Sequence, residues 1–224
     1  LAFRKVGAIP AKADPPEQRR FLDEQLQPRL QEAQEGRREV WFVDAAHLLY
    51  ATILGYRWCF ARLFVRAAAG RQRFNIIGAL NAVTKQIVGV NTTTKVHRHT
   101  LVQLLMKLVP VLPNGFPTVP TIPITLVLDN ARYNRARFVK SMAEFLGIEL
   151  LYLPTYSPNL NLIERLWKHL RKELFSCTDY PTFAQFCTAV ERCLEEANTV
   201  RQAQIQSLCA LKFQMFDDVP TVAA

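Results

Sequence analysis

Residues 151–174, LYLPTYSPNLNLIERLWKHLRKEL, constrain the fold of this chain more than any other stretch. The apolar run Leu150–Leu153 reads as a buried strand, and Pro154 and Pro158 turn the chain out of it. A helix follows, carrying one acid, Glu164, in its first turn and then Lys168, Arg171 and Lys172. On a helical wheel Leu162, Ile163, Leu166, Leu170 and Leu174 share one arc with Trp167 at its edge. Glu164, Lys168 and Arg171 lie on the opposite side, so the acid faces away from the core among cations. A strand, a tight turn and an amphipathic helix in this order make half of a βαβ layer.

The same pattern sharpens upstream. Asp44 follows the run Val40-Trp41-Phe42-Val43, and Asp129 follows Ile124–Leu128. Each acid is expected at the end of a strand, Asp44 at the rim of a central strand Glu39–Asp44 that is buried on both faces. There the ladder fixes the backbone and leaves the carboxylate exposed at the sheet edge. Three such acids can converge on divalent cations, which take hard oxygen ligands. Each has an ordinary alternative. Asp44 alone is a turn or cap residue, and Asp129-Asn130 is a turn signal in which Asn130 orients Asp129 or caps the next helix. Asn161-Leu162-Ile163-Glu164 fits a capping box, and Glu164 with Lys168 fits a helical i,i+4 pair. His47 reads as a phosphate aid or a structural hydrogen-bonder. The three acids together favour a metal site with Asn130 and Asn161 in support.

The order Asp44, Asp129, Glu164, the 34 residues between the last two, and the signature from Tyr156 to Trp167 resemble the catalytic domain of mariner-type DDE transposases, most of all their bacterial insertion-sequence branch. The likeness runs over roughly 5–216. In one departure, Ala45 follows Asp44 where many relatives carry Asp-Glu, which weakens a neighbouring contact and keeps the metal-binding acid. The resemblance implies an RNase H-like fold and two Mg²⁺ or Mn²⁺ ions held by Asp44, Asp129 and Glu164, with Asp44 as bridge. It implies excision and strand transfer of an element by phosphoryl transfer on double-stranded DNA, with TA-containing targets, and a homodimer on the DNA. It also places a DNA-contacting loop between the first two strands, where Arg57, Arg62, Arg66, Arg71 and Arg73 fall. With Lys168, Arg171 and Lys172 these are the candidate DNA contacts. Trp41 and Trp58 read as core residues. Without cations, three clustered carboxylates repel one another, so a partly disordered site or raised pKa values are expected. A repurposed, inactive DNA-binding protein and a purely hydrolytic nuclease are the competing readings.

Composition agrees with a polyanionic partner. The 224 residues carry 28 Lys and Arg against 19 Asp and Glu, a formal +9. Half the residues are hydrophobic, enough for a sizeable core. The five cysteines include no C-x-x-C pair, so neither a zinc site nor a disulfide framework is expected, and a reducing cytosol is the expected compartment. No membrane span and no signal peptide are read. No helix-turn-helix precedes Phe21, so recognition of element ends is expected from sequence upstream of Leu1.

Along the chain, 1–16 reads as a linker or tail, 17–216 as the RNase H-like catalytic domain and 217–224 as a C-terminal tail. The expected elements are a helix over 17–33 that Pro28 ends or kinks, a hairpin of 74–80 with 86–90, and a helix over 98–109. Strands at 124–128 and 148–153 with helices at 134–146 and 160–175 complete a βαβα unit, and helices at 182–198 and 202–213 follow. The sum is an α/β fold: a mixed five-stranded sheet, three antiparallel strands then a parallel βαβ, flanked by helices.

Overall fold

In the computed structural model, which describes residues 9–50, 60, 61, 64, 72–175 and 180–216, five strands form one mixed sheet. They are Glu39–Leu49 (β1), Arg73–Asn81 (β2), Ile87–Thr92 (β3), Ile124–Leu128 (β4) and Ile148–Tyr152 (β5), in the order β3-β2-β1-β4-β5. The first three pair antiparallel, while β4 runs parallel to β1 and β5 parallel to β4. This is the mixed sheet the sequence implied.

Side chains alternate across a strand, so each apolar run feeds two cores. Val40, Phe42, Ala46 and Leu48 of β1 face one core, shared with Pro15–Phe21 (α1), Gln27–Gln34 (α2), Ile163–Phe175 (α5), Phe183–Asn198 (α6) and Gln202–Leu208 (α7). Trp41 and Val43 face the other, shared with Arg98–Leu108 (α3) and Arg137–Phe145 (α4). Helices therefore cover both faces of the sheet.

Pro28 does not end the first helix. It lacks an N–H, and its ring would strike the carbonyl four residues back. The helix widens to a π turn over Leu22–Leu26, with the Gln27 N–H bonded to the Leu22 carbonyl, and continues as α2 to Gln34. The last helix is shorter than expected, closing at Leu208 rather than 213. Gly147 stops α4 at φ +67°, the left-handed geometry a helix terminus takes most easily with glycine.

At the amino ends of β4 and β5, Arg29 and Arg38 grip Glu149. Arg29 Nε donates at 3.0 Å and Arg38 Nη1 at 2.9 Å to the same oxygen. The Arg29 hydrogen bond is the main reason the Glu149 carboxyl is pulled down to about 2. This cluster fastens α2 to the sheet at the end away from the three acids. Among the described residues no helix is long and apolar enough to cross a membrane.

Candidate active site

The first acid lies within β1 rather than at its end. β1 runs on to Leu49, and Asp44 pairs with Gly78 of β2 in the antiparallel register. Its parallel pairing with β4, however, stops at Phe42 opposite Val127. Asp44 therefore stands where the β4 side of the sheet has opened, which is the edge the sequence pointed to. The strand continues because β2 still offers a ladder, and that pairing outweighs the poor strand propensity of aspartate.

Parity brings the second acid beside the first. Phe42 and Val127 sit opposite each other and both face the α5 core. Two residues further on each strand come Asp44 and Asp129, on the same face. Asp129 follows β4 directly. Two donors hold one of its oxygens: Ala131 N–H at 3.0 Å and Asn134 Nδ2 at 2.6 Å, both on Oδ1. Sequence reading gave the orienting role to Asn130, and the structure corrects this. Asn130 Nδ2 donates to the Leu153 carbonyl at 2.6 Å and Oδ1 accepts from Arg135, so Asn130 ties β4 to β5 without touching the Asp129 carboxylate. Nor does it cap α4, which opens at Arg137.

Glu164 comes from the first turn of α5. The capping box does not form. Asn161 turns its side chain to the sheet, where Nδ2 donates to the Val43 carbonyl at 3.2 Å and Oδ1 has no partner. This bond sets the start of α5 against the residue before Asp44. One turn further on, Trp167 lies over Gly78, where a Cβ would fall 2.6 Å from its ring. Both contacts pin α5 across β1 and β2, and Glu164 projects between them.

Asp44, Asp129 and Glu164 line one open cleft of about 360 Å³ together with Asn130 and Asn161. The Asp44 carboxyl is pushed up to about 7, first by burial, then by the charge of Glu164, with Asp129 adding to it. Glu164 is also within hydrogen-bond reach of Asp44. The phenol of Tyr133 is driven well above its ordinary range by burial and by the same two aspartates. Among the described residues, no three His, Cys, Asp or Glu side chains enclose a point where a metal ion sits ready-made. Burial first, and then repulsion among the acids, explain the raised Asp44, and a hard cation is what such a cluster of oxygen ligands fits.

Of the expected DNA contacts, Lys168 and Arg171 line a groove that begins at Glu164 and runs along α5. Lys172 is exposed on the same helix outside that groove. Arg73 opens β2, exposed, opposite Leu49. Arg57, Arg62, Arg66, Arg71 and Trp58 lie outside the described residues. Trp41 is buried, as expected. His47 Nδ1 meets Asn75 Oδ1 at 2.7 Å, which fits the structural reading of that histidine.

Sequence reading missed the clamp on the turn before α5. Gln18 of α1, fully buried, reaches the Tyr156 carbonyl at 3.4 Å and accepts from Asn159 Nδ2 at 2.9 Å. Asn159 Nδ2 also donates to the Gln214 carbonyl at 2.8 Å. Tyr156 is held at φ +55°, a left-handed geometry that costs a non-glycine residue energy. Its half-exposed ring lines the cleft, with the Lys12 ammonium 5.7 Å from the ring centre. A strained residue fixed by three distant segments marks a loop whose shape matters.

Comparison with known proteins finds the same fold. The chain is similar in fold to the Mos1 transposase paired-end complex with left transposon end, at TM-score 0.57 and 15% identity over 95% of this chain and 68% of that one. It is similar to the Mos1 mariner paired end complex with Mn at 0.56 and 13%, over 95% and 68% of the two chains. The Mos1 Strand Transfer Complex gives 0.53 and 14%, again over 95% and 68%. No curated protein sequence matches the chain significantly. The profile of the DDE superfamily endonucleases matches residues 39–187, a span that holds all three acids and all five strands, and the chain belongs to that family.

Proposed function

We propose that this chain is the catalytic domain of a DNA transposase, with Asp44, Asp129 and Glu164 as its metal-binding acids. The observation that carries the reading is that Asp44, Asp129 and Glu164 line one cleft, where the charge of Glu164 adds to burial in raising the Asp44 carboxyl. Such repulsion destabilises a fold unless a cation relieves it. In this reading Asp44, Asp129 and Glu164 would together hold the two Mg²⁺ or Mn²⁺ ions. When bound, the ions supply the Lewis acidity that activates a water or 3′-hydroxyl and stabilises the leaving oxygen. Asn134 and the Ala131 N–H hold Asp129 to one orientation, and Asn161 with Trp167 holds Glu164. Lys168 and Arg171 draw phosphates toward the acids. Support comes from the solved relatives, described as complexes with a transposon end, with Mn and with Mg. A dimer on double-stranded DNA is the assembly this reading takes.

The test is cleavage and strand transfer on duplex DNA in EDTA, Mg²⁺, Mn²⁺ and Ca²⁺. Turnover is expected with Mg²⁺ and Mn²⁺ only. Ca²⁺ should bind and raise thermal stability without turnover, because it tolerates a looser shell than the near-octahedral Mg²⁺. Full cleavage in EDTA rules out the metal reading, and equal ion-induced thermal shifts in Asp44→Ala show that the ions bind elsewhere. Hydrolysis without strand transfer identifies a nuclease, and DNA binding without either reaction identifies a repurposed remnant.

A further inference from the structure

The acid cleft is the middle of a longer trough. On one side it shares Pro158, Asn161 and Glu164 with the groove that ends at Lys168 and Arg171. On the other it shares Asn130 and the turn 153–155 with a recess of about 260 Å³ that Arg20 and Arg135 also line. Cations therefore stand at both ends of one depression and carboxylates at its centre. A polyanionic strand crossing the acids needs this order, since the central charges repel its phosphates and the ends must hold it.

Arg135 is built for that task. Its guanidinium lies 4.7 Å from the Tyr152 ring centre, and Nε donates to Asn130 Oδ1 at 2.9 Å. Asn130 is itself fixed to the end of β5 through the Leu153 carbonyl. Among the described residues Arg135 has no carboxylate partner, and its Nη1 donates to nothing. A guanidinium held flat on one face and along one edge keeps its remaining donors fixed in direction, as phosphate recognition favours. Arg20, from the last turn of α1, is exposed, and its side chain makes no hydrogen bond among the described residues. Glu17 is the single acid of the recess, and no ion pair joins it to either arginine among the described residues.

We infer that Arg135, with Arg20 behind it, grips the phosphates of the DNA strand on the side of the scissile bond opposite to those held by Lys168 and Arg171. The inference rests on the proposed transposase reading and adds a second anchor and a path for the strand. The probe is a short duplex of arbitrary sequence, since phosphate contacts carry no sequence information. Its affinity is measured against salt in Ca²⁺, and cleavage in Mg²⁺ is mapped on duplexes with single methylphosphonate replacements. Arg135→Ala should lower the slope of log K on log salt by about 0.9, and the Arg135→Ala/Arg20→Ala pair by roughly twice that. Each variant should become insensitive to one methylphosphonate, with Arg135→Ala and Lys168→Ala mapping to opposite sides of the cut. Arg20→Ala breaks no described hydrogen bond, so its effect cannot be ascribed to misfolding. If wild type binds and both arginine variants keep its slope, the inference falls and the transposase reading stands. The inference also falls if Arg135→Ala and Lys168→Ala map to the same side. If wild type shows no salt-dependent binding, the transposase reading falls and takes this inference with it.

Discussion

Trp167 rests on Gly78 so closely that a Cβ there would come within 2.6 and 2.8 Å of two ring carbons. Gly78 is the residue paired with Asp44 across β1 and β2, and Glu164 lies one helical turn before Trp167. The missing side chain on β2 thus sets how near the third acid comes to the first. Gly78→Ala should cost about 1–3 kcal/mol, the usual range for overpacking a rigid core. It should also push α5 outward and lower cleavage more than tenfold with the fold retained. Circular dichroism, a melting curve and the cleavage rate check this together. Unchanged activity with lowered stability would show that α5 is positioned by something other than this contact.

Neutral isosteres separate the chemistry from the fold. Asp44→Asn, Asp129→Asn and Glu164→Gln each remove a ligand charge with little change of shape, so each should abolish cleavage. A loss below tenfold, about 1.4 kcal/mol, would remove that acid from the site. The Asp44–Glu164 contact adds a second expectation. Relieving the repulsion should raise the melting point of metal-free Asp44→Asn and Glu164→Gln, while their Mg²⁺-induced shifts shrink or vanish.

Much of the sheet was legible because its signals are local. Apolar runs of strand length, the hairpin turn at 83–85 and Gly147 all act through nearby backbone, whereas placing Asp44 and Asp129 on one face needs the register of β1 with β4. What escaped was long-range. Asp44 read as a strand end because it closes the apolar run Val40–Val43, yet nine residue pairs join β1 to β2 and carry the strand on to Leu49. Asn161 and Glu164 matched a capping box, but the Val43 carbonyl, 118 residues away, takes the Asn161 amide. The Gln18–Asn159 bond spans 141 residues, and no local pattern announces it. Asn134 was missed for a nearer reason: its reach to Asp129 depends on the shape of the turn between them.

That competition at Asn161 can be tested directly. Aspartate is as good a helix N-cap as asparagine, so a capping role predicts that Asn161→Asp is tolerated. The observed bond needs an N–H donor toward the Val43 carbonyl, which a carboxylate lacks. It would also bring a fourth negative charge to the cleft. Asn161→Asp should therefore be worse than Asn161→Ala in both melting point and cleavage, with the alanine costing about 1–3 kcal/mol for the buried acceptor left unpaired. Equal stability of the aspartate variant and wild type would restore the capping box.

The clamp on the Tyr156 turn should govern rate without touching substrate. Gln18→Ala removes the bond from Asn159 and the one to the Tyr156 carbonyl, two of the contacts that hold Tyr156 at φ +55°. With its restraint loosened, the turn should relax toward ordinary backbone and carry the start of α5 with it. Cleavage should drop roughly tenfold, about 1.4 kcal/mol, with little change in the salt slope of DNA binding. Gln18→Glu, which keeps an acceptor for Asn159 but loses the donor, should fall between alanine and wild type. A Gln18→Ala protein that cleaves at the wild-type rate would limit Gln18 to packing.

The pH dependence of the metal-free protein follows from Asp44. Its carboxyl moves from 3.8 to about 7 on folding, through burial first and then the charge of Glu164. Between those values the folded protein keeps a proton that the unfolded chain has released, so stability falls as pH rises. The contribution is complete below the unfolded value and lost as pH climbs through the folded one. It amounts to something on the order of 2–4 kcal/mol, or roughly 5–15 °C in melting midpoint for a chain of this size. Glu149 works with the opposite sign, since its stabilisation is present above 4.5 and lost as pH falls through about 2, below the range of interest. Melting curves in EDTA from about pH 5 to 8 should therefore show a falling midpoint in wild type and a flatter one in Asp44→Asn. Saturating Mg²⁺ should reverse the fall, because the ion competes with the proton and gains as the carboxyl ionises. A midpoint that rises with pH in EDTA, or falls equally in Asp44→Asn, would mean that the proton sits elsewhere and that Asp44 is not the strained member of the cluster.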